Sequence, residues 1–279
     1  MSIPIDFQFS QSNLTDFTTC ARRFELKYLW QLRWPAIEAE PIQEGEQLRQ
    51  LGLDFHRLVQ QHLAGLEATI LSQTLADEAQ ELRTWWQNYL DRRPAWLNEA
   101  DLYPELTLSA PLANFRLMAR FDLLAFRPDG TVWIIDWKTA RDKPARSNLA
   151  RHMQSRVYPY LLAAAGAAYH GGRPIPPEAI RMMYWYPAVP DQAEIFEYSL
   201  AQQRQDEAYL ADLIGQIQGC AASDEFPLVA GNKPCRTCVY RSFCDRGEKA
   251  GPLLRQETPE VEELDVLALE WDQIAEIQF

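Results

Sequence analysis

The feature that most constrains this chain is a change of apolar period in its middle third. Residues 105–110 alternate, and 115–126 and 131–137 are two strand-like runs. Arg127-Pro128-Asp129-Gly130 joins them, and its Pro and Gly suit the backbone of a tight turn, so the spacing predicts a hairpin. Helical spacing flanks it on both sides. Leu14, Phe17, Phe24 and Tyr28 mark a helix over 12–30, capped by Ser10 or Ser12 and carrying Cys20. Further helices are expected over 45–64 and over 75–93, the latter stopped by Pro94. After the hairpin, 147–169 reads as helix with a bend or break at Pro159, because proline removes a backbone donor and crowds the preceding turn. Strands follow at 180–186 and 194–200, then a helix at 201–218. This order predicts an α/β (mixed α+β) fold, a small mixed sheet flanked by helices, and 279 residues suffice to bury its core.

The strands carry the candidate chemistry. Side chains alternate along a strand, so Asp136 and Lys138 share a face, and Asp122 lies on the partner strand of the same hairpin. Carboxylates brought together repel unless a cation lies between them. Hard oxygen ligands suit Mg²⁺ or Mn²⁺, which assist phosphodiester hydrolysis. The Lys138 ammonium would polarise a phosphate oxygen or ease formation of hydroxide. A salt-bridged hairpin without chemistry also accounts for an isolated Asp-x-Lys.

Five cysteines are present, an odd number that argues against a disulfide framework. Cys235-x2-Cys238-x5-Cys244 lies in a turn-rich stretch after Gly231 and Pro234, where several thiolates can turn toward one centre. Three local ligands leave a tetrahedral site one short, so a fourth must come from elsewhere. On its own this triad fits zinc as well as iron.

Taken together, Asp122 and Asp136-x-Lys138 resemble the PD-(D/E)XK nuclease superfamily, and the stretch from Ser10 to Asp245 is similar to its RecB-like branch. That branch includes the AddB nuclease domain and the CRISPR adaptation nucleases that carry a cluster. Asn13-Leu14-x-x-Phe17-x-x-Cys20-Ala21-Arg22-Arg23-Phe24 resembles the first cysteine helix of the family. Gly52-x-x-x-His56 resembles its histidine motif, and Gln154-x-x-x-Tyr158 its post-strand motif, on a helix where i and i+4 share a face. The resemblance implies a restriction-endonuclease-like core with an N-terminal helical part and a C-terminal cluster loop. It implies that His56, Asp122, Asp136 and the Trp137 carbonyl bind Mg²⁺ or Mn²⁺, and that Lys138 positions or activates water. Gln154 and Tyr158 would steady the scissile phosphate or the lysine. Cys20, Cys235, Cys238 and Cys244 would hold a 4Fe-4S cluster, with Cys220 outside the pattern. Glu105 ranks last among the acidic candidates. The implied function is a DNA exonuclease acting on ends or single strands, in repair, recombination or CRISPR adaptation. Two other readings are a non-catalytic iron–sulfur DNA-binding subunit of a helicase–nuclease complex and a zinc-stapled interaction protein.

The net charge of −12 runs against phosphate binding, but its distribution matters more. Residues 251–279 hold eight acids and one base, −7 in all, leaving −5 for residues 1–250. The expected division is therefore a nuclease domain over 1–250 and an acidic tail over 251–279. Leu267, Trp271 and Ile274 would share one helical face of that tail and dock on a helicase or other protein, the alternative being a tail that folds back over the groove and competes with phosphate. No Gly-x4-Gly-Lys-Ser/Thr loop occurs, so unwinding would fall to a partner. No apolar run reaches a membrane span's length and no secretion signal opens the chain, so a cytoplasmic protein is expected.

Overall fold

The structure, a computed structural model, describes residues 2–32, 40–76, 79–140 and 143–247. The acidic segment 251–279 and its expected docking face lie outside the described residues. A two-residue strand, β1 (Gln8–Phe9), precedes α1 (Gln11–Thr19). Ser10 caps α1: its hydroxyl accepts from the Asn13 N–H, and the Asn13 side chain accepts from the Ser10 N–H at 2.9 Å. The single helix expected over 12–30 is interrupted. Cys20 is extended, with φ −165° and ψ 113°, and α2 (Ala21–Phe24) restarts beyond it and runs into a π-helical turn at Glu25–Leu29. The interruption forfeits little, because the Cys20 N–H closes α1 on Asp16 while its carbonyl accepts from Arg23 and Phe24. Cys20 therefore stands at a joint between helices, not on one.

Helices α3 (Glu40–Leu63), α4 (Ala68–Gln73) and α5 (Gln80–Arg92) lead into the sheet. Strands β2 (Asp101–Leu112) and β3 (Phe115–Phe126) pair antiparallel around a two-residue turn. Ala113 and Asn114 both have positive φ there, 47° and 67°, as the turn that matches strand twist requires. The Arg127–Gly130 turn joins β3 to β4 (Val132–Trp137), with the Arg127 N–H on the Thr131 carbonyl at 3.0 Å and Gly130 at φ 84°. A crossover through α6 (Arg146–Leu149) and α7 (Gln154–Ala165) brings β5 (Ile180–Trp185) parallel to β4, and β6 (Glu194–Glu197) closes that side antiparallel. β1 pairs parallel with the far end of β3. α8 (Leu200–Ser223), capped by Ser199, leads to the cysteine loop. This is the mixed α/β sheet flanked by helices that the sequence predicts.

A second predicted detail is also corrected. The break in the 147–169 segment falls between α6 and α7, not at Pro159, which α7 accommodates near its start. β1 was not predicted, because two residues are too short to display a period.

Each face of the sheet has its own core. Phe121, Leu124, Ile134, Met182, Tyr158 and Leu161 belong to one, under α7 and α8. Phe55, Trp86, Tyr89, Leu123, Ile135 and Trp185 belong to the other, under α3 and α5. Leu161 is fully buried and Leu200 is 43 % exposed. Leu161→Ala is expected to cost about 2–5 kcal/mol in urea unfolding, and Leu200→Ala less than about 0.5 kcal/mol.

Candidate active site

The site grows from an irregularity in β2 and β3. Along β3, Leu117, Ala119 and Phe121 enter one core, but so do Leu124 and Phe126, so the alternation slips at Asp122. Along β2 it slips at Glu105, between Tyr103 and Leu106. Glu105 has φ 53°, a left-handed conformation rare for a residue with a side chain and the kind of strain that gathers at functional sites. Pro104 pairs with Leu123 and Leu106 with Phe121, so Glu105 stands opposite Asp122. The β3–β4 ladder ends at Leu123 with Ile135. The next position on each strand is Asp122 and Asp136, so the three carboxylates form a row across the sheet interior. Where the two strands part, the Trp137 N–H donates to Asp122 Oδ2 at 2.8 Å. A backbone donor at the end of a ladder thus fixes one carboxylate.

Each carboxylate faces its own cation. Arg120 Nε lies 3.1 Å from Glu105 Oε2, His56 Nδ1 lies 3.5 Å from Asp122 Oδ1, and Lys138 Nζ lies 3.0 Å from Asp136 Oδ2. His56 comes from α3, whose neighbouring Phe55, Leu58 and Val59 anchor it in the second core. Burial alone would lower the His56 imidazole, but the carboxylates of Asp122, Asp136 and Glu105 outweigh it and hold it above its ordinary value. Burial opposes ionisation of Asp122, yet His56, the Trp137 N–H and Lys138 hold it below the ordinary carboxylate range. Glu105 is pushed up, by burial and by Asp122, against Arg120 and His56.

Lys138 leaves β4 with its N–H on the Trp185 carbonyl at 2.8 Å, which directs its side chain back over the row. Its ammonium donates to Gln154 Oε1 at 2.7 Å. Gln154 Nε2 in turn donates to Asp136 Oδ1 at 3.2 Å and to Tyr158 Oη at 3.3 Å. Asp136 and Gln154 are 3 % and 4 % exposed, so the acceptor side of this network is buried, while Lys138 stays partly exposed. The break before α7 matters here, because Gln154 is the first residue of that helix and Tyr158 lies one turn on.

Of the residues singled out in the sequence, His56 and Asp122 therefore converge, while Asp136, Lys138, Gln154 and Tyr158 form an adjoining hydrogen-bonded set. Trp137 takes part through its N–H. Glu105, ranked last, joins the first group: His56, Glu105 and Asp122 offer ligand atoms all within 4.8 Å of one another. The signal lay in the two-residue turn at Ala113–Asn114, whose register sets Glu105 opposite Asp122. His56 Nε2 is buried with no hydrogen-bond partner among the described residues. One imidazole and two carboxylates whose ligand atoms lie this close together are a donor set that fits a divalent cation.

A second convergence lies at the joint after α1. Cys20, Cys235, Cys238 and Cys244 line one cavity, together with Arg23 and Tyr240. Burial raises the Cys238 thiol above its ordinary value and neighbouring Cys20 and Cys235 add to it, against the Tyr240 N–H and Arg23. Cys220, on α8, is not part of that wall.

The field that raises His56 favours any cation, and a metal ligand must be deprotonated. Mn²⁺ affinity is therefore expected to strengthen as pH rises, with its midpoint above 6.5 because the His56 value is raised. Titration calorimetry between pH 5.5 and 8.5 checks this, and His56→Asn should flatten the dependence.

Residues 8–245 match the family described as the PD-(D/E)XK nuclease superfamily. Among solved structures, the crystal structure of a Eubacterium rectale protein named "Putative exonuclease" is similar in fold, with a TM-score of 0.52 and 9% identity over 87% of this chain and 88% of that one. The crystal structure of SSO0001 gives a TM-score of 0.42 and 15% identity over 87% of each chain. No curated protein matches the sequence. With the match spanning the whole sheet, the carboxylate row and the cysteine loop, the chain belongs to the PD-(D/E)XK nuclease superfamily.

Proposed function

We propose that this protein is a metal-dependent deoxyribonuclease of the RecB-like branch, an exonuclease acting on DNA ends or single strands in repair, recombination or CRISPR adaptation. The observation that carries this reading is the row of Glu105, Asp122 and Asp136, flanked by His56 and by a lysine tied to Asp136 and Gln154. His56, Asp122, Asp136 and the Trp137 carbonyl would hold Mg²⁺ or Mn²⁺, with Glu105 available beside them. When bound, the ion polarises the phosphodiester and eases ionisation of the attacking water. Lys138 offers a fixed positive charge for a phosphoryl oxygen and has little freedom to leave, because Asp136 and Gln154 grip its ammonium. Gln154 is the coupling element, with its oxygen on the lysine and its nitrogen on Asp136 and Tyr158. Tyr158 orients that amide from within the core.

A 4Fe-4S cluster would be held by Cys20, Cys235, Cys238 and Cys244, a reading that rests on these four cysteines lining one cavity. Such a cluster would staple the joint after α1 to the loop after α8 and close a nuclease domain spanning 1–250, with 251–279 as an appended acidic tail. None of the five cysteines forms a disulfide, in keeping with a cytoplasmic protein. No described helix is long and apolar enough to cross a membrane.

Asp122→Ala, Asp136→Ala and Lys138→Ala are each expected to lower DNA cleavage in Mn²⁺ at least a hundredfold or so while keeping the circular dichroism spectrum of the folded protein, with a lower melting temperature because a buried partner is left uncompensated. Ca²⁺ should support binding without turnover, because its coordination is looser. Wild-type rates from Asp136→Ala would overturn the assignment. Aerobically purified protein should be brown, and Cys20→Ser should bleach it as fully as Cys238→Ser. Cys220→Ser should keep both colour and activity.

A further inference from the structure

The core on the α3 and α5 side of the sheet ends at the carboxylate row. Leu102, Leu123 and Ala125 take part in it, but no residue of β2 after Glu105 or of β3 before Asp122 does. Beyond the row both strands alternate regularly. Leu108 and Ala110 of β2, with Leu117, Ala119 and Phe121 of β3, turn toward the other core. The opposite face therefore carries three pairs in register: Thr107 with Arg120, Ser109 with Met118, and Pro111 with Arg116. None of the six belongs to either core, and Thr107, Pro111 and Arg116 are exposed.

The charged members of this open face are two arginines. Arg116 lies across the strand pair, with its Nε on Ser109 Oγ at 2.8 Å and its Nη2 on the Ser109 carbonyl at 3.3 Å. It has no acidic partner among the described residues. Arg120 is two residues from Asp122, about 7 Å along a strand that rises about 3.4 Å per residue. Its Nε lies 3.1 Å from Glu105, its side chain is 29 % exposed, and neither Nη has a hydrogen-bond partner among the described residues. A guanidinium is a rigid planar fork, so one held at Nε offers its remaining donors to a phosphate in a fixed direction. Glu105 makes the face continuous with the site, because its carboxylate meets Arg120 and also lies within 4.8 Å of the ligand atoms of His56 and Asp122.

A chain of net charge −12 has to hold a phosphodiester by local positive charge, since its bulk charge repels one. We infer that the open half of the β2–β3 hairpin is the track along which the substrate's sugar–phosphate backbone leaves the carboxylate row. Arg120 takes the phosphate nearest the row, and Arg116, four residues further along β3, takes one beyond it. The inference rests on the nuclease reading for its ligand, and it adds the surface, the direction and the two contact residues.

The test is fluorescence anisotropy of the full-length protein with a labelled 20-nucleotide strand and its duplex, in Ca²⁺ and over a range of salt. Arg116→Gln and Arg120→Gln are each expected to weaken binding about threefold at low salt. Each should also lower the slope of log Kd against log salt by about one, without changing preference among sequences. Thr107→Lys adds a charge beside Arg120 and should raise that slope by about one and tighten binding, a gain that no folding defect imitates. Arg204→Gln, exposed on α8, should leave the slope unchanged. Arg120→Gln also leaves Glu105 without its cation, so Arg116→Gln and Thr107→Lys decide the matter if that variant does not fold. An unchanged slope in Arg116→Gln, no rise in Thr107→Lys, an equal fall in Arg204→Gln, or a wild type that binds neither DNA would each overturn the proposal. Cleavage by wild type against Asp136→Ala in Mn²⁺ is scored separately. Absent cleavage with the expected slopes sinks the nuclease reading alone, and intact cleavage with unmoved slopes sinks the track alone.

Discussion

Glu105, Asp122 and Asp136 lie side by side on three adjacent strands, half-buried or buried, and their mutual repulsion has to be offset for the sheet to close there. Arg120, His56 and Lys138 supply one positive partner each. The Trp137 N–H adds a fourth favourable contact by giving Asp122 the bond that β4 would otherwise present to the backbone of β3. Removing one partner from a buried pair typically costs about 3–5 kcal/mol, because the remaining charge stays uncompensated. The centre of the fold is therefore held by the charges of the candidate site itself.

This balance explains why the surroundings are rigid and aromatic. Trp137 packs edge-on against Tyr89 and Trp185, and Tyr89 stacks on Trp86, so the strand carrying Asp136 rests on a continuous aromatic layer. On the other face Tyr158 packs against Phe121, with centroids 4.8 Å apart, directly beneath Asp122 in the chain. A catalytic constellation needs supporting groups locked by packing. Here both cores meet at the row, because the slip in alternation at Glu105 and Asp122 exchanges which side chains face which helices.

The cysteine cavity is a second organising point. It joins residue 20 to residues 235–244, two regions that otherwise meet through contacts such as the Tyr240 hydroxyl on the Leu32 carbonyl and the stacking of Phe24 on Phe226. The lobe it creates also concentrates positive charge in a chain that is acidic as a whole.

Much of this was legible in the sequence, for reasons that are local. The strand-like runs over 115–126 and 131–137, with Pro128 and Gly130 between, marked the hairpin, and the hairpin set Asp122 near Asp136. The i, i+4 spacing of Gln154 and Tyr158 put them on one helical face. Glu105 was underrated because its role depends on strand register and on a left-handed backbone that no propensity anticipates. The extended joint at Cys20 was hidden by apolar spacing that continues across it. The break before α7 was assigned to Pro159, the residue with the strongest local signal, whereas the structure sets it where Gln154 can reach Lys138 and Asp136. The sequence by itself determined the elements and the residue types of the site, because period and side-chain chemistry are properties of neighbours along the chain. Only the tertiary structure decided which carboxylates share a row, which cation faces each, and that Cys20 meets the distant thiols, because those depend on register and on packing between segments far apart in sequence.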